Sequence, residues 1–314
     1  MNTTVLAADL GGTNLRMAVV SIDGRILHRI KKKTPESGGR GDIVAAIEKS
    51  AGECLDAVPS ASVSAMGIAV PATMDFKEGI LKNSPQLPAL NGLNLADALG
   101  GKFDFPIVTD NDATSAAVGE HWLGATRGFE NSICITLGTG VGGGLILRGE
   151  PYRGNSGTAG EIGHVCVERE GFPCGCGSCG CVEQYASAIG IGRHFIQLKD
   201  RYPDSLLSDF ERPTPYDVFE AANRSDELAL EIYRRLGMYL GIAIAGLVNV
   251  LNPDVIVIGG GVSAAWELFI GNTRAEMQKR AFREPVEHVK LVRAELGDDA
   301  GILGVARLAL LARK

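Results

Sequence analysis

The chain has little to offer a nucleic acid, a membrane or an oxidising compartment. Acidic residues outnumber basic ones, 37 to 31, and the net charge of −6 is the wrong sign for a phosphate backbone. Its one basic run, Lys31-Lys32-Lys33, reads as the solvated end of a strand. No uncharged apolar stretch reaches the ~20 residues that a bilayer-spanning helix needs. Residues 1–4 lead straight into a strand-like run with neither a basic leader nor a cleavage motif, so no export signal is expected. A G-x-x-x-x-G-K-[ST] phosphate loop is missing. The G-x-G-x-x-G at Gly138, Gly140 and Gly143 is followed by a strand-like 145–147 rather than a helix, which excludes a dinucleotide fold. Aromatics make up only 6% of a chain that is 45% hydrophobic, as in a globular protein with room for two core-bearing lobes.

What the chain does have is concentrated. Of its seven cysteines, four stand at Cys174, Cys176, Cys179 and Cys181, too close together for an ordinary disulfide framework. With His164 just upstream they point to a metal held in a reducing cytoplasm. Tetrahedral Zn²⁺ is satisfied by three thiolates and one imidazole. Cys174, Cys176 and Cys181 bracket a glycine-rich loop that can fold back on itself, so they and His164 are the expected ligands, with Cys179 left over. Such a site leaves no open coordination position, and the zinc is structural. A ligating His164 has one ring nitrogen left for a substrate oxygen, and Glu161 and Glu183 flank it. Donors and acceptors of this kind suit a neutral polyol.

Apolar runs and turn signals repeat. Residues 5–8, a turn at Asp9-Leu10-Gly11-Gly12-Thr13-Asn14, 17–20 and 25–27 read as a meander of three strands. A second copy aligns without a gap: Leu10-Gly11 falls on Leu137-Gly138, residues 18–20 on 145–147, and the turn Asp23-Gly24 on Glu150-Pro151. Helices are expected over 41–54, 113–122, 227–251 and after Ser263, with strands over 63–70, 106–109 and 255–258. The result is an α/β protein with a duplicated β-meander, alternating helices and strands, and two lobes with a cleft between them. The expected division is 1–108, completed by a C-terminal helix at 300–314, against 109–299 with the zinc loop.

Glycine lets a backbone N–H approach a phosphate, so the paired turns favour nucleotide phosphates, with Asp9 placed to hold Mg²⁺ or its waters. Asp112, in Asp110-Asn111-Asp112, reads either as a helix cap or as the carboxylate that accepts a hydroxyl proton. Asn111 is placed to orient a neighbouring hydroxyl, and Asp110 is the competing cap.

Gly160-Glu161-Ile162-Gly163-His164 and Cys174-x-Cys176-Gly-x-x-Gly180-Cys181-x-Glu183 carry a family pattern. From Asp9 to Ala306 the chain resembles the ROK family of bacterial sugar kinases and regulators, within the actin and hexokinase superfamily. The glucokinase branch is nearest in Val182-Glu183-Gln184-Tyr185 and in the Asp110-Asn111-Asp112 turn. The resemblance implies a two-lobed actin-like ATPase (ribonuclease H-like) fold. It implies ATP-dependent phosphorylation of a hexose at its 6-hydroxyl, with Asp112 as general base. Asn111, Glu161, His164 and Glu183 would bind other hydroxyls. Gly11-Gly12-Thr13-Asn14 and Gly138-Thr139-Gly140 would cradle the phosphates of ATP, Gly259-Gly260-Gly261 would approach adenosine, and zinc would sit on the four ligands above. Where relatives carry Asn-Leu-Pro, this chain reads Gln86-Leu87-Pro88, with Asn83 nearby, so either amide is a candidate for the sugar. Glucose is the expected sugar. N-acetylglucosamine, N-acetylmannosamine, mannose, allose and fructose are the alternatives, and a sugar-binding regulator without a DNA-binding domain is the alternative of another class. A dimer or tetramer is expected from the family.

Overall fold

A computed structural model describes residues 3–35 and 39–312. In chain order the elements are β1 (Thr3–Leu10), β2 (Asn14–Ser21), β3 (Ile26–Lys33), α1 (Arg40–Ala57), β4 (Ser62–Val70), β5 (Thr73–Asp75), β6 (Ile80–Asn83), α2 (Leu95–Ala98), β7 (Ile107–Asn111) and α3 (Asp112–Leu123). There follow β8 (Ser132–Leu137), β9 (Val141–Leu147), β10 (Glu150–Pro151), α4 (Glu183–Ala186), α5 (Ala188–Leu198), α6 (Pro215–Asn223) and α7 (Glu227–Leu251). The chain ends with β11 (Val255–Gly259), α8 (Trp266–Arg280), α9 (Arg283–His288), β12 (Lys290–Arg293) and α10 (Ala300–Leu311). The start of the chain at Met1 and the last two residues of the helix expected over 300–314 lie outside the described residues.

Two five-stranded sheets share one plan, β3-β2-β1-β4-β7 and β10-β9-β8-β11-β12. In the first, β2 runs antiparallel to β1 and β3, and β4 runs parallel to β1 and β7. In the second, β11 runs parallel to β8 and β12. The duplicated, ribonuclease H-like order is the one the paired meanders predict. One detail differs. Glu150-Pro151 is not the second turn but strand β10, paired with Leu147 and Ile146. Arg148 (φ 56°) and Gly149 (φ 77°) make the turn instead, and nothing about an arginine signals that conformation.

The chain separates into two compact units, one of residues 1–130, 144–160 and 295–314, the other of 131–143 and 161–294. This partition shares with the expected one the return of the C-terminal helix to the first unit, and differs in that α3 and residues 144–160 join that unit too. Alternation along its strands explains the packing there. Leu6, Ala8 and Leu10 face α1 through Ile43, Ile47 and Ala51, whereas Val5 and Ala7 face α10 through Ile302, Val305 and Ala306. Helices α3 and α10 meet backbone to backbone. A Cβ on Gly304 would lie 1.6 Å from the Ser115 carbonyl oxygen, and one on Gly119 would lie 2.2 Å from that of Ala300.

The second unit is built around α7, capped by Asp226 at its start and stopped by Asn252 in the left-handed region (φ 44°). Among the described residues α7 is the helix long and apolar enough to cross a membrane by length and composition. Its Leu228, Ile232, Leu236, Leu240 and Ile244 are fully buried, the pattern of a core helix.

Candidate active site and metal centre

In the first unit the turn between β7 and α3 places three polar side chains in a row, and each does something different. Asp110, 2% exposed, is not the helix cap that the sequence suggested. Its Oδ2 accepts hydrogen bonds from Arg153 Nε at 3.1 Å and Nη2 at 2.5 Å, and its Oδ1 accepts the Asn111 N–H at 2.8 Å. Burial pushes the Asp110 carboxyl above its ordinary range, and the guanidinium opposes that rise. Asn111 is the cap: its Oδ1 accepts the Thr114 N–H at 3.0 Å, and its Nδ2 donates to the Ala72 carbonyl at 3.3 Å. Asp112, half-buried, opens α3 and accepts the Ala113 N–H at 2.8 Å.

The first glycine turn is closed by Gly11 N–H on the Asn14 carbonyl at 2.9 Å. Asp9 is half-buried beside it with Arg16 Nη1 at 3.3 Å, and Arg16 also pairs with Asp298 at 2.9 Å. Burial raises the Asp9 carboxyl against the pull of Arg16. Gln86, one of the two amides expected near a sugar, accepts the Gly12 N–H at 3.3 Å. Asn83 stands exposed at the end of β6. The loop is fixed behind them by the buried Ser84, whose hydroxyl donates to the Pro71 carbonyl at 2.9 Å.

In the second unit the other glycine turn, closed by Gly138 N–H on the Gly140 carbonyl at 2.9 Å, is fastened to Glu183. One Glu183 oxygen accepts the Val141 N–H at 3.1 Å, and a Cβ on Gly140 would lie 2.2 Å from that oxygen. Gly140 is therefore needed for the close approach. Burial raises the Glu161 carboxyl; His164 lowers it and Glu183 raises it further. A pocket of about 450 Å³ opens beside this turn, lined by Thr139, Tyr216, Phe219, Tyr233, Gly261 and Val262 among others. Gly260 (φ 82°) lies against the Leu137 backbone, where any Cβ would collide. The aromatic lining escaped the sequence analysis because α6 and α7 carry no phosphate-loop signature.

His164, Cys174, Cys176 and Cys181 converge, with one donor atom from each lying within 4.8 Å of the others. Cys174 Sγ is 3.6 Å from His164 Nδ1, and Cys176 Sγ is 3.6 Å from Cys181 Sγ. Zn–S and Zn–N bonds of about 2.3 and 2.0 Å set tetrahedral donors about 3.5 Å apart, so the donor set fits zinc in both chemistry and spacing. Burial pushes the Cys181 thiol up to about 12, helped by Cys174 and Cys176. Gln184 Nε2 donates to Cys174 Sγ at 3.3 Å, a support the sequence analysis missed. The remaining His164 nitrogen, Nε2, faces Glu161 at 3.8 Å. Cys179 points away, its Sγ on the Arg169 carbonyl at 3.4 Å, and Cys166 is an exposed thiol on the same loop.

The model of the ROK family matches residues 5–312. A glucokinase of Halalkalibacterium halodurans is 36% identical over 306 residues, 95% of this chain and 92% of that one. One of Thermotoga maritima is 34% identical over 308 residues, 97% of this chain and 96% of its own. Among solved structures, a ROK family glucokinase from Streptomyces griseus in complex with glucose and AMPPNP superposes with a TM-score of 0.82 at 33% identity, covering 98% of this chain and 99% of that chain.

Proposed function

The chain belongs to the ROK family, and we propose that it transfers the γ-phosphoryl group of ATP to the 6-hydroxyl of a hexose, with glucose as its substrate. The observation that carries this is the β7–α3 turn. Asp110 is held by Arg153, Asn111 caps α3, and Asp112 puts a carboxylate on the first residue of that helix.

Asp112 accepts the proton of the attacking hydroxyl, a role worth about 10²–10⁴-fold in rate. Glu161, His164 Nε2 and Glu183 hold further hydroxyls, and Glu183 does so while anchored to the second glycine turn. Asn111 contributes the side of its amide not spent on Thr114 and Ala72. Gln86, and Asn83 beside it, line the sugar loop. Backbone N–H groups of Gly12, Thr13 and Asn14 and of Thr139 and Gly140 receive phosphate oxygens, which requires Gln86 to yield the Gly12 N–H, while Gly11 and Gly138 spend theirs closing the two turns. The Tyr216, Phe219 and Tyr233 pocket, closed by the turn at Gly259-Gly260-Gly261, takes the base. Mg²⁺, held near Asp9, supplies charge neutralisation on the phosphates. Zinc on His164, Cys174, Cys176 and Cys181 supplies a fold constraint that orients His164. The reading extends to a cytoplasmic homo-oligomer, dimer or tetramer, on family grounds alone.

A coupled ADP-release assay with Mg·ATP over glucose, mannose, fructose, allose, N-acetylglucosamine and N-acetylmannosamine tests it. Turnover that is highest on glucose is the expected result. A different preferred sugar would correct the substrate. Sugar binding with no turnover on any of them would overturn the kinase reading and favour a sugar-binding regulator.

A further inference from the structure

Asp112 is presented by a turn whose firmest tether comes from a residue that belongs to none of the motifs. Arg153 follows β10, and its side chain is 26% exposed. Nε and Nη2 converge on one oxygen of the buried Asp110, Nη1 reaches the Pro151 carbonyl at 3.4 Å, and the guanidinium lies 4.7 Å from the centre of the Phe76 ring. Its own carbonyl accepts the Ala159 N–H at 3.1 Å, closing the loop that runs on in sequence to Glu161. The other oxygen of Asp110 grips the Asn111 N–H, one peptide before the base.

We propose that Arg153 is the positioning residue of the catalytic turn: by fixing Asp110 it sets the direction in which Asp112 leaves the backbone. This rests on the kinase reading, since it assigns Asp112 a proton to accept. The chemistry favours arginine specifically. A planar guanidinium delivers two N–H groups to one carboxylate while stacking on Phe76, which a lysine ammonium does not reproduce. Without it, the buried Asp110 carboxyl loses the cation that opposes its protonation and the two N–H groups that orient it, and the Asn111 N–H loses a fixed acceptor. Misplacing a reacting group by about 1 Å costs on the order of 10²-fold in rate.

The test compares full-length wild type with Arg153→Lys, Arg153→Met and the doubly neutral Asp110→Asn/Arg153→Met. Steady-state kinetics on glucose with Mg·ATP, calorimetric glucose binding and thermal unfolding are measured for each. The double variant carries no unpaired buried charge, so it keeps the test alive where Arg153→Met unfolds. Expected for Arg153→Met and the double variant is a fall in kcat of about 10²-fold, with KM and Kd for glucose within about threefold of wild type. Arg153→Lys should recover about tenfold of the loss. A double variant that unfolds earlier yet keeps kcat within about twofold of an active wild type contradicts the positioning role and leaves Arg153 purely structural. A wild type inert on every hexose contradicts the kinase reading instead, and this proposal with it.

Discussion

His194, 1% exposed on α5, is held neutral by its surroundings. Its ring stacks 5.9 Å from that of Tyr239, its Nε2–H donates to the Tyr185 carbonyl at 3.1 Å, and its Nδ1 is buried without a partner among the described residues. A second proton would sit on that unpartnered nitrogen. Burial accordingly pulls the pKa from 6.5 to about 4, against the Tyr185 bond, which raises it. A depressed folded pKa gives stability that is complete above about pH 6.5 and drains away as pH falls towards 4. The full effect is about 3 kcal/mol. His194→Gln, which retains an N–H donor, should flatten the fall in thermal midpoint between pH 6.5 and pH 4; parallel curves for variant and wild type would refute the assignment. Residue types at the site were legible, but their partners were only partly so. Asp110 looks like a cap because Asp caps helices, whereas its partner Arg153 lies 43 positions away, where no local pattern marks it.

At the scale of elements, the cysteine loop that ends at Cys181 is the clearest case of sequence specifying structure. Its ligands crowd into a short segment rich in glycine, which leaves few ways to bring three sulfurs together. Backbone bonds then set the loop: Cys174 N–H to the Ser178 carbonyl at 2.9 Å, Gly180 N–H to the Phe172 carbonyl at 2.8 Å and Val182 N–H to the Val165 carbonyl at 2.9 Å. Metal analysis of the purified chain should find one zinc per chain, lost in Cys176→Ala and kept in Cys179→Ala, with chelation lowering the thermal midpoint of the wild type and of Cys179→Ala but not that of Cys176→Ala. Equal zinc content in the two variants would undo the ligand assignment. Meanders, α7 and both glycine turns were also readable, because apolar alternation and helical spacing are local signals. The turn at Arg148-Gly149 was not, since a positive φ on arginine is imposed by the pairing of β10 with β9 rather than by the residue.

At the scale of the whole molecule, duplication gives each sheet the same strand order while chemistry divides between the units. The first carries Asp9, the first glycine turn and the Asp110-Asn111-Asp112 turn. The second carries Glu161, Glu183, the His164–cysteine cluster and an apolar pocket beside the second glycine turn. Beyond the expected 1–108 and 300–314, the first unit also takes in α3 and residues 144–160. The reason is long-range packing: Glu120 of α3 accepts the N–H groups of Ala125, Glu295 and Leu296, and α3 needs the glycine seam of α10. Conversion of glucose to glucose 6-phosphate by wild type and by Asp112→Asn, with calorimetric glucose binding measured on both, tests the central claim most directly. The account predicts a loss of about 10²–10⁴-fold in kcat with glucose affinity within a few-fold of wild type. A variant that binds glucose and still phosphorylates it at the wild-type rate would show that Asp112 is only the first residue of a helix.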